Sequence, residues 1–180
     1  MPAPTPFRLQ TALPEDTLRV HTCTVREALS DLGDTTLTLL SDRKDIRPAE
    51  LLGKQASLTV ALRDDAPRHV SGYVSRFARS GFEGKYSVYQ MTLKPWPWLL
   101  TRTADCRIFQ EMTVPDIVKQ VFDDHPVARF ELRLMRPYRT WNYCVQYRET
   151  DFNFIARLLE HEGIYWYIQH DESGHKMVLC

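Results

Sequence analysis

The sequence lacks most of the features that announce a function. It has only seven glycines in 180 residues. They occur at isolated turns, never as G-x-G-x-x-G or a phosphate loop, which excludes a glycine-built nucleotide cradle. The four cysteines, Cys23, Cys106, Cys144 and Cys180, include no C-x-x-C pair. A zinc ribbon or thioredoxin-type motif is therefore not expected, and free thiols suit a reducing compartment. No apolar run reaches the ~20 residues of a membrane helix. Met1 to Gln10 carries no basic start and no apolar stretch, so no signal peptide is expected. Net charge is absent too, with 23 basic and 23 acidic residues. The part before Pro95 is +2 and the rest −2, unlike the basic body of a nucleic-acid binder.

What is present is the composition of a folded globular chain, 43% hydrophobic and 26% charged. At this length a core forms without disulfide staples. The first half reads as strands. Leu18 and Val20, Leu37 and Leu39, and Leu58, Val60 and Leu62 alternate with polar neighbours. A turn is expected at Asp64-Asp65-Ala66-Pro67. A strand from His69 to Arg79 follows, with a bulge at Gly72, then a turn at Ser80-Gly81. Lys85 to Lys94 reads as a strand half-buried on both faces. Pro95-Trp96-Pro97-Trp98 then interrupts strand pairing, because two prolines cannot sit in a central strand.

The second half mixes helices with strands. Thr113 is placed to cap a helix, with Asp116 reaching back in a capping box. Val114, Ile117, Val118, Val121 and Phe122 share its apolar face, and Pro126 ends it. Phe130, Leu132 and Leu134 alternate as a strand, as do Trp141, Tyr143, Val145 and Tyr147. A second helix is predicted from Asp151 to Glu162, capped by Thr150 and ended by Gly163. Ile164 to His170 and His175 to Cys180 form a hairpin about Asp171-Glu172-Ser173-Gly174.

The residues capable of chemistry do not assemble into a catalytic set. His170 and His175 flank the hairpin turn, but two ligands are too few for zinc. His161-Glu162 begins like H-E-x-x-H, yet Tyr165 holds the second histidine position. Ser71-Gly72 lies inside a predicted strand rather than a nucleophile elbow. Cys144 reads as a small buried strand residue. Asp64-Asp65 is turn chemistry, Asp123-Asp124 a solvated helix end, and Glu160 and Glu162 point to different helix faces. The stretch Arg129 to Arg148 carries five arginines against Glu131, interleaved with aromatics. Such a pattern suits nucleic-acid stacking, but alternating aromatics more often form core, and a protein contact is the better binding expectation. No catalytic, cofactor or metal residue is assigned.

Five ordered blocks carry a resemblance. They are Leu93-Lys94-Pro95-Trp96-Pro97-Trp98-Leu99-Leu100-Thr101, Asp105-Cys106-Arg107-Ile108-Phe109-Gln110, Thr113-Val114-Pro115-Asp116-Ile117-Val118, Tyr143-Cys144-Val145-Gln146-Tyr147-Arg148-Glu149-Thr150-Asp151, and Leu158-Leu159-Glu160-His161-Glu162-Gly163-Ile164-Tyr165-Trp166. With Arg26-Glu27-Ala28-Leu29-Ser30 and Leu51-Leu52-Gly53-Lys54, the chain resembles the N-terminal hub region of VgrG, the spike family of bacterial type VI secretion. The resemblance implies an α+β, β-rich fold: a phage-hub-like β-barrel over residues 1–94, then a linker, helices and the truncated start of a second hub-like barrel over 95–180. It implies a structural, non-enzymatic adaptor between the Hcp tube and a cell-puncturing spike. In the family three subunits form a ring, and effectors are carried by regions beyond Cys180. The fragment would touch neither nucleic acid nor membrane, would be cytoplasmic before assembly, and would leave by type VI secretion. A phage tail hub of the late control D kind is the nearest alternative, and an oligonucleotide-binding barrel a distant one.

Overall fold

A computed structural model describes residues 6–62 and 66–180. Asp64 and Asp65 of the predicted turn lie outside the described residues. The chain divides into two compact units. The first holds the described residues through Glu27, Gly33–Pro95 and His170–His175; the second holds Ala28–Leu32, Trp96–Gln169 and Lys176–Cys180.

The first unit is a curled, six-stranded antiparallel sheet. Its strands are β1 (Phe7–Gln10), β2 (Arg19–Arg26), β3 (Asp34–Ser41), β4 (Gln55–Val60), β5 (Arg68–Glu83) and β6 (Tyr86–Lys94). They lie in the order β1-β4-β5-β6-β3-β2. Two-residue alternation builds the core: Leu37 and Leu39 on β3, Leu58 on β4, and Tyr89 and Met91 on β6 are almost wholly buried. Phe77 stacks on Tyr89 at 5.0 Å between centroids. The Tyr89 hydroxyl donates to the Arg43 carbonyl at 3.1 Å, which satisfies its polar end.

Three local expectations change. The strand does not turn at Ser80-Gly81. β5 runs on to Glu83, with a register shift between Arg79 and Gly81 that takes up Ser80 as the extra residue of a bulge. The reversal comes at Gly84, whose φ of +57° suits a residue without Cβ. The other shift lies between Val74 and Arg76 rather than at Gly72. Gly72 instead lets β5 approach its neighbour closely. A Cβ there would stand 2.7 Å from the Lys94 carbonyl oxygen and 3.2 Å from the Leu93 Cβ. Finally, β6 is fully buried on one face and half-buried on the other, not half-buried on both.

The second unit begins with a 3-10 turn over Trp96–Thr101. It continues with β7 (Ala104–Phe109), β8 (Met112–Thr113), α1 (Val114–Asp123), β9 (Phe130–Leu132), β10 (Thr140–Trp141), β11 (Cys144–Thr150) and α2 (Asp151–Glu162), and ends in the hairpin β12 (Trp166–Asp171) and β13 (Gly174–Leu179). β7 pairs antiparallel with β11, β8 with β10, and β13 runs parallel to β9. The apolar stripe of α1 is buried as its spacing requires. Trp96 meets Phe122 edge-on at 5.0 Å, and its indole N–H donates to the Arg129 carbonyl at 2.8 Å. Phe109 stacks on Phe154 at 5.4 Å.

Both helices are capped where predicted. Thr150 accepts from the Asn153 N–H at 3.1 Å and Thr113 from the Asp116 N–H at 3.3 Å. The reciprocal half of the capping box differs: the Thr113 hydroxyl donates to the Asp116 carboxylate at 2.5 Å, so that carboxylate answers a side chain rather than the cap backbone. Leu134 lies beyond the end of β9, in the loop to β10. Two of the alternating aromatics, Tyr143 just before β11 and Tyr147 on it, face out, and the buried residues of β11 are Cys144 and Gln146.

Gly72→Ala is expected to lower the urea-unfolding free energy by about 1–3 kcal/mol, since backbone atoms block the new methyl. Gly81→Ala, with open space around its Cβ position, serves as the control. Equal midpoints for the two variants would contradict the close-approach role.

Candidate functional site

In the first unit the structure gathers His170, His175 and Ser71. The Ser71 N–H on β5 donates to His170 Nδ1 at 3.2 Å, and the Ser71 hydroxyl lies 3.0 Å from His175 Nδ1. The two imidazole centroids are 5.6 Å apart. Because His170 Nδ1 accepts a proton-bearing amide, its Nε2 carries the ring hydrogen toward the Glu27 carboxylate at 3.4 Å. Glu27 is held in turn by Arg68 at 2.5 Å. Burial pushes the His170 pKa down, against the upward pull of Glu27. A hydroxyl beside an imidazole is the pairing a serine nucleophile needs. Here both groups are buried, Ser71 at 4% and His175 at 6% exposure, so the arrangement seats the segment 170–175 against β5 rather than meeting a substrate.

His161 belongs to the second unit, where its ring packs edge-on against Trp141 and its Nε2 lies 3.1 Å from Arg139. Among the described residues, no group of three or more His, Cys, Asp or Glu side chains is arranged to hold a metal ion. Cys144 is buried, and burial raises its thiol pKa, which keeps it protonated and inert. Of the acidic pairs, Asp123 is solvent-exposed and Asp124 accepts from Arg107 at 2.6 Å. Glu160 is exposed, and Glu162 is buried under the Trp141 indole N–H at 3.1 Å.

The main polar centre of the second unit is one the sequence reading missed. The Asp151 carboxylate, at the first position of α2, is 4% exposed. It accepts from the Thr103 hydroxyl at 2.6 Å, the Gln146 amide at 2.8 Å, and the Arg107 guanidinium, with His125 Nε2 at 3.2 Å. Arg107 also donates to Gln146 at 2.8 Å. Burial works to raise the Asp151 pKa, but the hydrogen bonds from Gln146, Thr103 and His125 and the charge of Arg107 outweigh it, so the value is lowered. The sequence held one signal for this centre. Arg107 and Gln146 occupy the same strand phase as Phe109 and Cys144, so polar residues stand at positions destined for the interior.

The same alternation exposes the opposite face of β7 and β11. Ile108 (62% exposed) lies directly across from Val145, and Cys106 across from Tyr147 (64%), with Tyr143 (54%) beyond. This face carries no carboxylate. Adjoining it, Arg148 has a φ of +51° at the β11 bulge and stacks over the Tyr147 ring at 5.2 Å. Arg133 is held by Glu131, which also accepts from Lys176; these bonds bring the Glu131 pKa to about 2.

A profile of the phage tail baseplate hub (GPD) family matches residues 26–180. The chain is 46% identical over 172 residues to the type VI secretion system spike protein VgrG1b of Pseudomonas aeruginosa, covering 96% of this chain and 23% of that protein. It is 47% identical over 164 residues to VgrG1a of the same organism, covering 91% and 26%. The chain thus spans about a quarter of the length of these relatives. Among solved structures it superposes on the E. coli c3393 protein, described as a component of the type VI secretion system with structural similarity to the T4 bacteriophage tail proteins gp27 and gp5. The TM-score is 0.86 at 26% identity, over 96% of this chain and 48% of that one. A 43 kDa tail protein of prophage MuSo2 from Shewanella oneidensis shares the fold at TM-score 0.65 and 14% identity, over 96% and 54%.

The lowered pKa of Asp151 sets a pH dependence. Its charge stabilises the fold fully above the ordinary value of 3.8, and that contribution fades as pH falls through the lowered folded value. Asp151→Asn is expected to cost about 3 kcal/mol at pH 7. The gap to the unaltered chain should narrow below about pH 4, followed by circular dichroism in urea. A constant gap from pH 7 to pH 2 would contradict the assignment.

Proposed function

The chain belongs to the phage tail baseplate hub family, and on that premise we propose that it is the hub portion of a type VI secretion spike. In this reading it is a structural adaptor between a tube of Hcp rings and the puncturing spike, and it performs no chemistry of its own. The observation that carries it is 46% identity across 96% of the chain to a protein named as such a spike. In this reading residues 1–94 form a first hub barrel, and residues 95–180 a linker with the start of a second. The curled sheet of the first unit supports the barrel. Three copies assemble in the ring, effectors ride on other parts of the spike, and the protein is made in the cytoplasm and leaves by the machine itself. No described helix is long and apolar enough to cross a membrane.

Two features of the molecule support an assembly role. The formal charge is zero, which suits protein neighbours better than a polyanion. The outward face of β7 and β11 presents Ile108, Val145, Tyr143 and Tyr147 together, and contiguous apolar surface with aromatics is the composition of a protein contact.

The test is recovery of an epitope-tagged chain from cells with an active type VI machine. The chain should bring down Hcp or the full-length spike. Ile108→Asp with Tyr147→Asp should cut that recovery about tenfold without lowering the melting temperature. Recovery with neither partner would overturn the proposal, and recovery with a phage tail tube instead would transfer the chain to a phage tail.

A further inference from the structure

The loop between β9 and β10, in the second unit, carries a surface that the hub reading does not explain. Met135 stands at its tip, 99% exposed. On its C-terminal side two arginines are fixed in similar ways. Arg136 lies over the Tyr138 ring at 4.9 Å and donates to the Glu162 carbonyl. Arg139 lies over the Trp141 ring at 4.8 Å and reaches His161 at 3.1 Å. Their side chains remain 61% and 66% exposed. One carboxylate, Glu162, serves both, at 3.9 and 3.8 Å, beyond hydrogen-bond length. The patch is therefore cationic in excess, two guanidinium groups against one buried acid.

Stacking on an aromatic ring fixes the plane of a guanidinium and leaves its N–H edge for a partner. Two such edges beside a bare methionine form a site with both charge and apolar grip. Methionine is common on adaptable protein-binding surfaces, because its flexible thioether fills irregular gaps. We infer that this loop docks an acidic segment of a protein partner, with carboxylates on the Arg136 and Arg139 forks and an apolar side chain on Met135.

Charge alone would also admit a phosphate backbone, and two observations favour a carboxylate-bearing protein. Single-strand binders need open aromatic faces for bases. Here one face of Tyr138 and one of Trp141 are taken by guanidinium groups, and Trp141 also has His161 packed edge-on against it. A fully exposed methionine contributes nothing to a phosphate contact but does contribute to a protein one. This surface does not depend on the hub reading: it concerns local chemistry, and it stands or falls whether or not the chain assembles with Hcp.

The test uses the full 180-residue chain and fluorescein-labelled 12-residue peptides in anisotropy titrations. One peptide alternates Glu and Leu; a second replaces Glu with Lys; a 12-nucleotide thymidine strand is the third probe. The acidic peptide should bind, the basic one should not, and affinity should fall about tenfold between 50 and 500 mM salt. Arg136→Gln with Arg139→Gln should weaken binding about tenfold. Met135→Asp, at a position that packs on nothing, should weaken it several-fold with an unchanged melting temperature. Arg136→Lys with Arg139→Lys keeps the charge and loses the fork, and should fall between. Equal binding of the acidic and basic peptides, or indifference to Met135→Asp, would overturn the inference. So would tighter binding of the thymidine strand that is lost in the same arginine variants.

Discussion

The second unit is organised by a buried negative charge. An isolated carboxylate taken out of water costs several kcal/mol, so Asp151 is tolerable only because its donors converge on it. Thr103, Arg107, Gln146 and His125 reach it from the segment before β7, from β7, from β11 and from the end of α1. The Asp151 N–H donates in turn to the Thr103 carbonyl at 3.0 Å. The start of α2 is thereby tied to four other parts of the unit at one point. Thr150, immediately before, supplies the helix cap, and the bulge at Arg148 turns the strand into position for it.

This constraint has a consequence for the surface. Successive strand side chains point to opposite faces, so committing Arg107 and Gln146 to the interior commits Cys106, Ile108, Val145 and Tyr147 to the exterior. An apolar outer face on a two-stranded sheet is unfavourable for a chain standing alone. It is intelligible in a protein that works by contact with other proteins, the role proposed for it. The first unit meets its polar requirement differently. Its interior is almost wholly apolar, and its buried polar cluster, Ser71 with His170 and His175, serves to seat a short segment from much later in the chain.

Much of this fold was legible because local signals agreed with it. Leu37, Leu39, Tyr89 and Met91 alternate and are buried; Thr113 and Thr150 cap the helices they precede. The misread inner face of β11 has one cause, which is that pattern rules treat apolar as inward. Tyr143 and Tyr147 alternate as a core strand would, yet the polar network around Asp151 claims the inner phase. Separately, Ser80-Gly81 has the composition of a turn, yet long-range pairing with β6 carries the strand through it, with a bulge at Ser80. In the sequence Asp151 is visible only as the first residue of the second helix, since its partners lie as far as 48 positions away. The exchange of segments 28–32 and 170–175 between the units has no local signal at all.

Amide hydrogen exchange on the unaltered chain addresses the organising role of Asp151 most directly. If the buried carboxylate holds the second unit together, the amides of Asp151, of the inward positions of β7 and β11, and of the first turns of α2 will exchange together. They will be the slowest group in that unit, at the free energy of its cooperative opening. If the amides around Asp151 exchange quickly while those of α1 and β13 stay protected, the network is a passenger on an apolar core and the account fails.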